Sequence, residues 1–197
     1  MKAKSSYAKG AAKREEILQV TLEIFGREGA RNTTLRTVAK ESGISLTGLM
    51  HYFDSKDHLL TEVLRASDRA AEARYRAPHA VRDPGEFLAL ALSANTDDTA
   101  RARLYITLLA ASTDPAHPAH AYFRERFARL RATIAEHLAA EEAAGRITPG
   151  LDPGFTASAI VAASDGIMVQ WLSDPAIDMA DHVRRVWRAL TAPRTAG

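Results

Sequence analysis

Between Gly43 and Asp54 the chain places Ser45, Thr47, Gly48, His51 and Tyr52 on one side of a short predicted helix, with Leu49 and Phe53, four residues apart, on the other. Two hydroxyls, an imidazole and a phenol around a glycine make a hydrogen-bonding surface that lets a backbone come close. They do not make a nucleophile–base pair or a metal set. Other chemistry is sparse. His117 and His120 stand three apart near Asp114 with Pro118 between them, and capping or surface roles fit them better than a metal site. The absence of Cys excludes disulfides, thiolate metal sites and cysteine catalysis. No Gly-rich phosphate loop, Gly-x-Ser-x-Gly or His-Glu-x-x-His occurs. The expectation is therefore no enzyme, no metal and no organic cofactor.

The elements that must position these residues read as helices throughout. Alanine is abundant, at 38 of 197 residues, and alternating β-branched runs are missing. The predicted all-α chain has about nine helices. The first runs from about Ala12 to Glu28, with Gly29 as its stop, and Thr33-Thr34 offers a cap for a second that ends at Gly43. Ser45 can cap a third over about Leu46 to Phe53, and Asp54-Ser55 a fourth from Lys56 to about Ala77. Later helices are expected after Pro84-Gly85, and over about Thr99–Ala111, Ala119–Ala144, Pro153–Leu172 and Met179–Thr191.

Charge is uneven along the chain. Residues 1–60 hold 10 Lys+Arg against 7 Asp+Glu, and the remainder 16 against 17. All six lysines lie at or before Lys56. Residues 1–11 read as a basic flexible arm, either phosphate-attracting or simply solvating. No apolar run suggests a membrane span, and the basic start lacks the apolar stretch of a secretory signal, so a cytoplasmic protein is expected. The Arg- and Ala-heavy composition points to a GC-rich bacterial genome.

Two short helices around Gly43-Ile44-Ser45 fit a helix-turn-helix over about residues 33–53. Leu35, Val38 and Ala39 would pack inward, and the second helix would present its small polar face to a DNA major groove ~12 Å wide. By pattern alone, a plain helical bundle or a protein-interaction module fits as well.

The run Ser45-Leu-Thr-Gly-Leu-Met-His-Tyr-Phe-Asp-Ser-Lys56, followed by Leu59-Leu60, resembles the recognition helix of TetR-family transcriptional repressors. Arg14-Glu-Glu-Ile-Leu, Phe25, Gly29 and Thr33-Thr-Leu35 through Ser45 follow that family's order, so the likeness covers about residues 12–65. Leu104–Ala110, Asp114–Arg126 and Ala162–Leu172 resemble the C-terminal part of its betaine-pathway subgroup. The resemblance implies a three-helix DNA-binding head over 12–56, a ligand-binding and dimerisation domain over 57–192, and a tail over 193–197. Thr34 and Arg36 would touch phosphate, as would Tyr52 and Lys56. Ser45, Leu46, Thr47, Gly48 and His51 would face the groove. Leu46 stands where the family is usually polar and Met50 where it commonly has Tyr. Each either touches a thymine methyl or packs inward.

One short helix reads only a few base pairs, whereas a symmetric pair ~34–36 Å apart reads successive grooves of a palindrome. The helix over Pro153–Leu172 is apolar nearly all round, and Ala159, Ala162, Ala163 and Gly166 allow close approach. With Phe155, Val183 and Trp187 it would form a four-helix interface between two copies; the alternative is the core helix of a monomer. The resemblance further implies a small-molecule effector held within residues 66–175. Candidate lining residues are Phe87, Tyr105, Thr107, Leu108, Phe123, Phe127, Met168 and Trp171, and ordinary core packing is the alternative for each.

Overall fold

The computed structural model describes residues 2–75, 83–96, 99–147 and 150–192. Among them are nine helices and no strand: α1 (Lys2–Asn32), α2 (Leu35–Glu41), α3 (Leu46–Met50), α4 (Lys56–Tyr75), α5 (Pro84–Ser93), α6 (Thr99–Ala111), α7 (Ala119–Ala143), α8 (Pro153–Ser173) and α9 (Met179–Thr191). The expected end of the fourth helix, residues 76–77, and the tail over 193–197 lie outside the described residues.

Side-chain caps set most of the starts. Thr34 accepts the Thr37 amide at 3.1 Å, Ser45 that of Gly48 at 3.0 Å and Ser55 that of His58 at 3.0 Å. Asp83, Asp152 and Asp178 do the same for α5, α8 and α9 at 2.7, 3.0 and 2.9 Å. Each cap satisfies an amide that the helix itself leaves without an acceptor.

Three boundaries differ from expectation. α1 resumes past its break at Gly29 to end at Asn32 rather than near Glu28. The presumed arm over 1–11 continues α1 as helix from Lys2, where Lys and Ala, both good helix formers, make up about half of the residues. The third helix ends at Met50 rather than Phe53. Phe53 is fully buried beyond its last turn, and its amide still donates to the Leu49 carbonyl at 3.1 Å, so that end is held both by burial of the ring and by a closing backbone bond.

The chain forms two compact units. The first comprises Met1–Ala70 and Thr99–Tyr122, the second Ala71–Asp98 and Phe123–Gly197. The expected cut near residue 56 is not where the packing divides. In the first unit α1 packs on α2 and on α6, and a Cβ at Gly26 would stand 2.8 Å from that of Ala100. Its core includes Ile17, Ile24, Phe25, Val38, Leu49, Phe53, Leu59 and Val63.

In the second unit α5, α8 and α9 pack on one another. A Cβ at Gly85 would lie 2.2 Å from Cγ of Trp187, so α5 lies flat against that indole only because it carries glycine there. The Trp187 indole N–H donates to Asp83 at 3.0 Å, and Arg184 makes two 2.7 Å bonds to Glu86. Those bonds hold the Glu86 carboxyl below its ordinary range.

By length and composition α8 could cross a bilayer, contrary to the reading that no run approached this. Interleaved Ala, Gly and Ser hide its average from inspection. Thr156, Ile160, Val161, Ser164, Ile167, Met168 and Trp171 are nevertheless buried in the chain, as on a core helix of a globular domain.

Candidate nucleic-acid interface

The site starts at the end of α2. Ser42 caps that helix, Gly43 turns left-handed with φ 65°, and two backbone bonds close the turn, Gly43 N–H to Lys40 O at 3.1 Å and Ile44 N–H to Ala39 O at 3.0 Å. This paired closure is a Schellman motif, and the positive φ favours a residue without Cβ. The chain re-enters a helix two residues later at Ser45.

α3 then has two chemically different sides. Leu49 is fully buried, as is Phe53 just past the helix. Burial of side chains this size contributes roughly 1.5–3 kcal/mol each, which fixes the helix by its inner side. Ser45, Thr47, Met50 and His51 are exposed, and Leu46, Gly48 and Tyr52 half-buried. Met50, 49% exposed, does not pack inward. No charged residue lies between Ile44 and Phe53, so this outer side is a neutral surface of hydroxyl, imidazole and methyl groups.

Cations frame it. Arg36 is exposed in the first turn of α2, and no hydrogen bond or ion pair engages it among the described residues. A positive charge there opposes the helix dipole, so it does not serve the stability of α2. Lys56 was expected to meet phosphate as a point charge. In the structure its ammonium donates to the Ala30 carbonyl, and a phosphate would have to share it.

Three braces were not legible in sequence. Lys13 donates to the Ser42 carbonyl at 2.6 Å, gripping the turn from α1. The Arg14 guanidinium lies 5.3 Å from the Phe53 ring centre and pairs with Glu62 on α4. Arg27 joins α1 to Glu41 of α2 at 2.7 Å. These residues read as bulk positive charge because their partners are 14 to 48 residues away, beyond any helical period.

The histidine pair holds structure. His117 Nδ1 accepts the Ala119 amide at 3.1 Å, its Nε2 is 3.6 Å from Asp57, and His120 Nδ1 lies 2.8 Å from the Ser112 carbonyl. No cluster of metal-ligating side chains occurs among the described residues.

The expected effector-lining residues fall in both units. Tyr105 and Leu108 are buried on α6 in the first. Thr107 is exposed and its hydroxyl donates to the Arg103 carbonyl at 2.8 Å, so it faces solvent and lines no interior. In the second unit Phe123, Met168 and Trp171 are buried and Phe87 and Phe127 half-buried. The Phe123 and Phe127 rings lie 5.8 Å apart.

Of the expected interface residues, Val183 and Trp187 are buried within the second unit against its own helices and cannot meet a partner without repacking. Phe155, Ala162 and Gly166 are exposed, and Ala159 and Ala163 half-exposed. Val169 extends that exposed stripe of α8 and is 48% exposed.

Comparison with known proteins bears on both halves. Residues 17–63 match the family described as bacterial regulatory proteins, tetR family, and residues 85–193 match the BetI-type transcriptional repressor C-terminal family. The HTH-type transcriptional regulator BetI of Stenotrophomonas maltophilia is 35% identical over 107 residues, covering 51% of this chain and 54% of that protein. The chain spans about half the length of the curated relatives it matches. A TetR transcription regulator from Haloarcula marismortui superposes with a TM-score of 0.76 at 18% identity, over 92% of this chain and 97% of that one. A transcriptional regulator from Saccharomonospora viridis, solved in complex with choline, superposes with a TM-score of 0.71 at 22% identity, over 91% and 95%. At such identities the structural likeness establishes the fold alone.

Proposed function

The chain belongs to the TetR family of bacterial regulatory proteins, and from that premise we propose that it acts as a homodimeric repressor, released from a palindromic operator by a small-molecule effector. It is a transcriptional regulator rather than an enzyme, and its place of action is the cytoplasm, where bacterial DNA lies.

The observation that carries the reading is the division of α3 into a buried side, Leu49 with Phe53, and an exposed neutral side. A helix held this way lies against base edges through Ser45, Leu46, Thr47, Gly48 and His51. Thr34, Arg36, Tyr52 and Lys56 engage the flanking phosphates. The exposed stripe of α8, from Phe155 through Ala162 and Gly166 to Val169, supports pairing of two copies with close helix approach.

The effector is a small molecule held by the helical body. Candidate contacts within the second unit are Phe87, Phe123, Phe127, Met168 and Trp171. It binds a form less suited to the operator, and a coupling of ~1–3 kcal/mol lowers DNA affinity ~5–150-fold. Choline, which the S. viridis regulator binds, is the first compound to titrate.

Selection of duplexes from a random pool tests the core of this reading. The expected winners are palindromes bound by two chains, with affinity falling steeply as salt rises. Recovery of no preferred duplex, or binding by a single chain, would refute it.

A further inference from the structure

The outer side of α3 lacks the side chains that most often identify bases by paired hydrogen bonds. Across Ile44–Phe53 there is no Arg, Lys, Asn, Gln, Asp or Glu, so neither the bidentate Arg–guanine contact nor the bidentate Asn or Gln contact to adenine is available. The Ser45 hydroxyl oxygen is already accepting the Gly48 amide. Apolar groups remain in quantity. Met50 is 49% exposed, one of few large apolar side chains so placed among the described residues. Leu46 precedes it by one turn and Thr47 by three residues, so all three share one face of the helix. The fold does not need Met50: Leu49 and Phe53 anchor the segment with no exposed surface of their own. An unbranched thioether adapts its shape to whatever it meets.

Resting on the DNA-binding reading above, we propose that Met50 is a specificity-determining residue that reads the 5-methyl group of a thymine in each half-site. Readout there is by apolar contact in the major groove, where that methyl is the one apolar feature distinguishing A·T from the other pairs. The chemistry is removal of two methyl-bearing surfaces from water, with no hydrogen bond at stake.

Replacing thymine by deoxyuridine deletes that methyl and leaves every hydrogen-bonding group in place. The full chain is titrated against its selected operator with deoxyuridine placed symmetrically at each thymine in turn, alongside the Met50→Ala variant. One symmetric pair of substitutions is expected to weaken binding by about fourfold for each methyl removed. Met50→Ala should bind the thymine and deoxyuridine operators equally at that position while melting at the parent temperature. An operator that tolerates deoxyuridine everywhere would overturn the inference and leave the DNA-binding reading intact. Sensitivity retained in Met50→Ala but lost in Leu46→Ala would also overturn it, moving the contact to Leu46. If no operator is selected at all, the DNA-binding reading falls and this inference with it.

Discussion

Arg36 lies two residues beyond the Thr34 cap with its charge against the helix dipole. If it meets phosphate, Arg36→Ala weakens binding to all duplexes alike and lowers the log–log salt slope by about one per subunit, while the melting temperature holds or rises slightly. Fluorescence anisotropy across a salt series reads both quantities, and a change confined to one base position would contradict the assignment. At this scale the sequence was most legible where the chemistry is local. Thr34 and Ser45 were readable as caps, because a cap and its amide are three residues apart. Lys13 and Arg14 were not, because Ser42 and Phe53 become their neighbours only once α1 and the turn have packed.

Among the elements, α5 and α9 show how one small residue sets a packing distance. Gly85→Ala drives a methyl into the Trp187 indole, a contact of 2.2 Å before relaxation. A loss of about 1–3 kcal/mol, typical of overpacking, is expected in thermal unfolding, and Gly154→Ala, where the nearest atom is a carboxylate oxygen 3.4 Å away, serves as the comparison. The neighbouring Glu86–Arg184 pair carries a sign with pH. Its carboxyl is depressed when folded, chiefly by the hydrogen bonds from Arg184. Its contribution is therefore present above the ordinary carboxylate range and disappears as pH falls from that range through the lower value the folded carboxyl holds. The melting-temperature gap between the parent and Glu86→Gln should close on acidification, and only modestly, since both side chains are 37% exposed. Helix starts were readable from caps and prolines. The end of α3 and the assignment of α6 to the first unit were not, since both depend on contacts between distant segments.

For the whole molecule, the exposed stripe of α8 is where the proposed pairing of two copies is tested. Phe155 is 66% exposed, so Phe155→Glu leaves the protomer folded. If the stripe joins two copies, sedimentation velocity should show single chains, and operator affinity should fall by ~10²-fold or more as the paired binding advantage is lost. The apolar and small residues of this helix made it the expected pairing surface, but Val183 and Trp187, expected there too, are buried within the second unit, because a hydrophobic stripe does not say which of two faces a neighbouring helix will take. The first unit, in turn, opens under a constraint of its own. α1 leaves helical geometry at Gly29, with φ 74°, and the Ala30 carbonyl just beyond is taken by Lys56, 26 residues along. The intervening segment is buckled at both ends, to α1 behind it and α4 ahead. Its backbone amides should therefore exchange with deuterated solvent as one cooperative block, without fraying from either end.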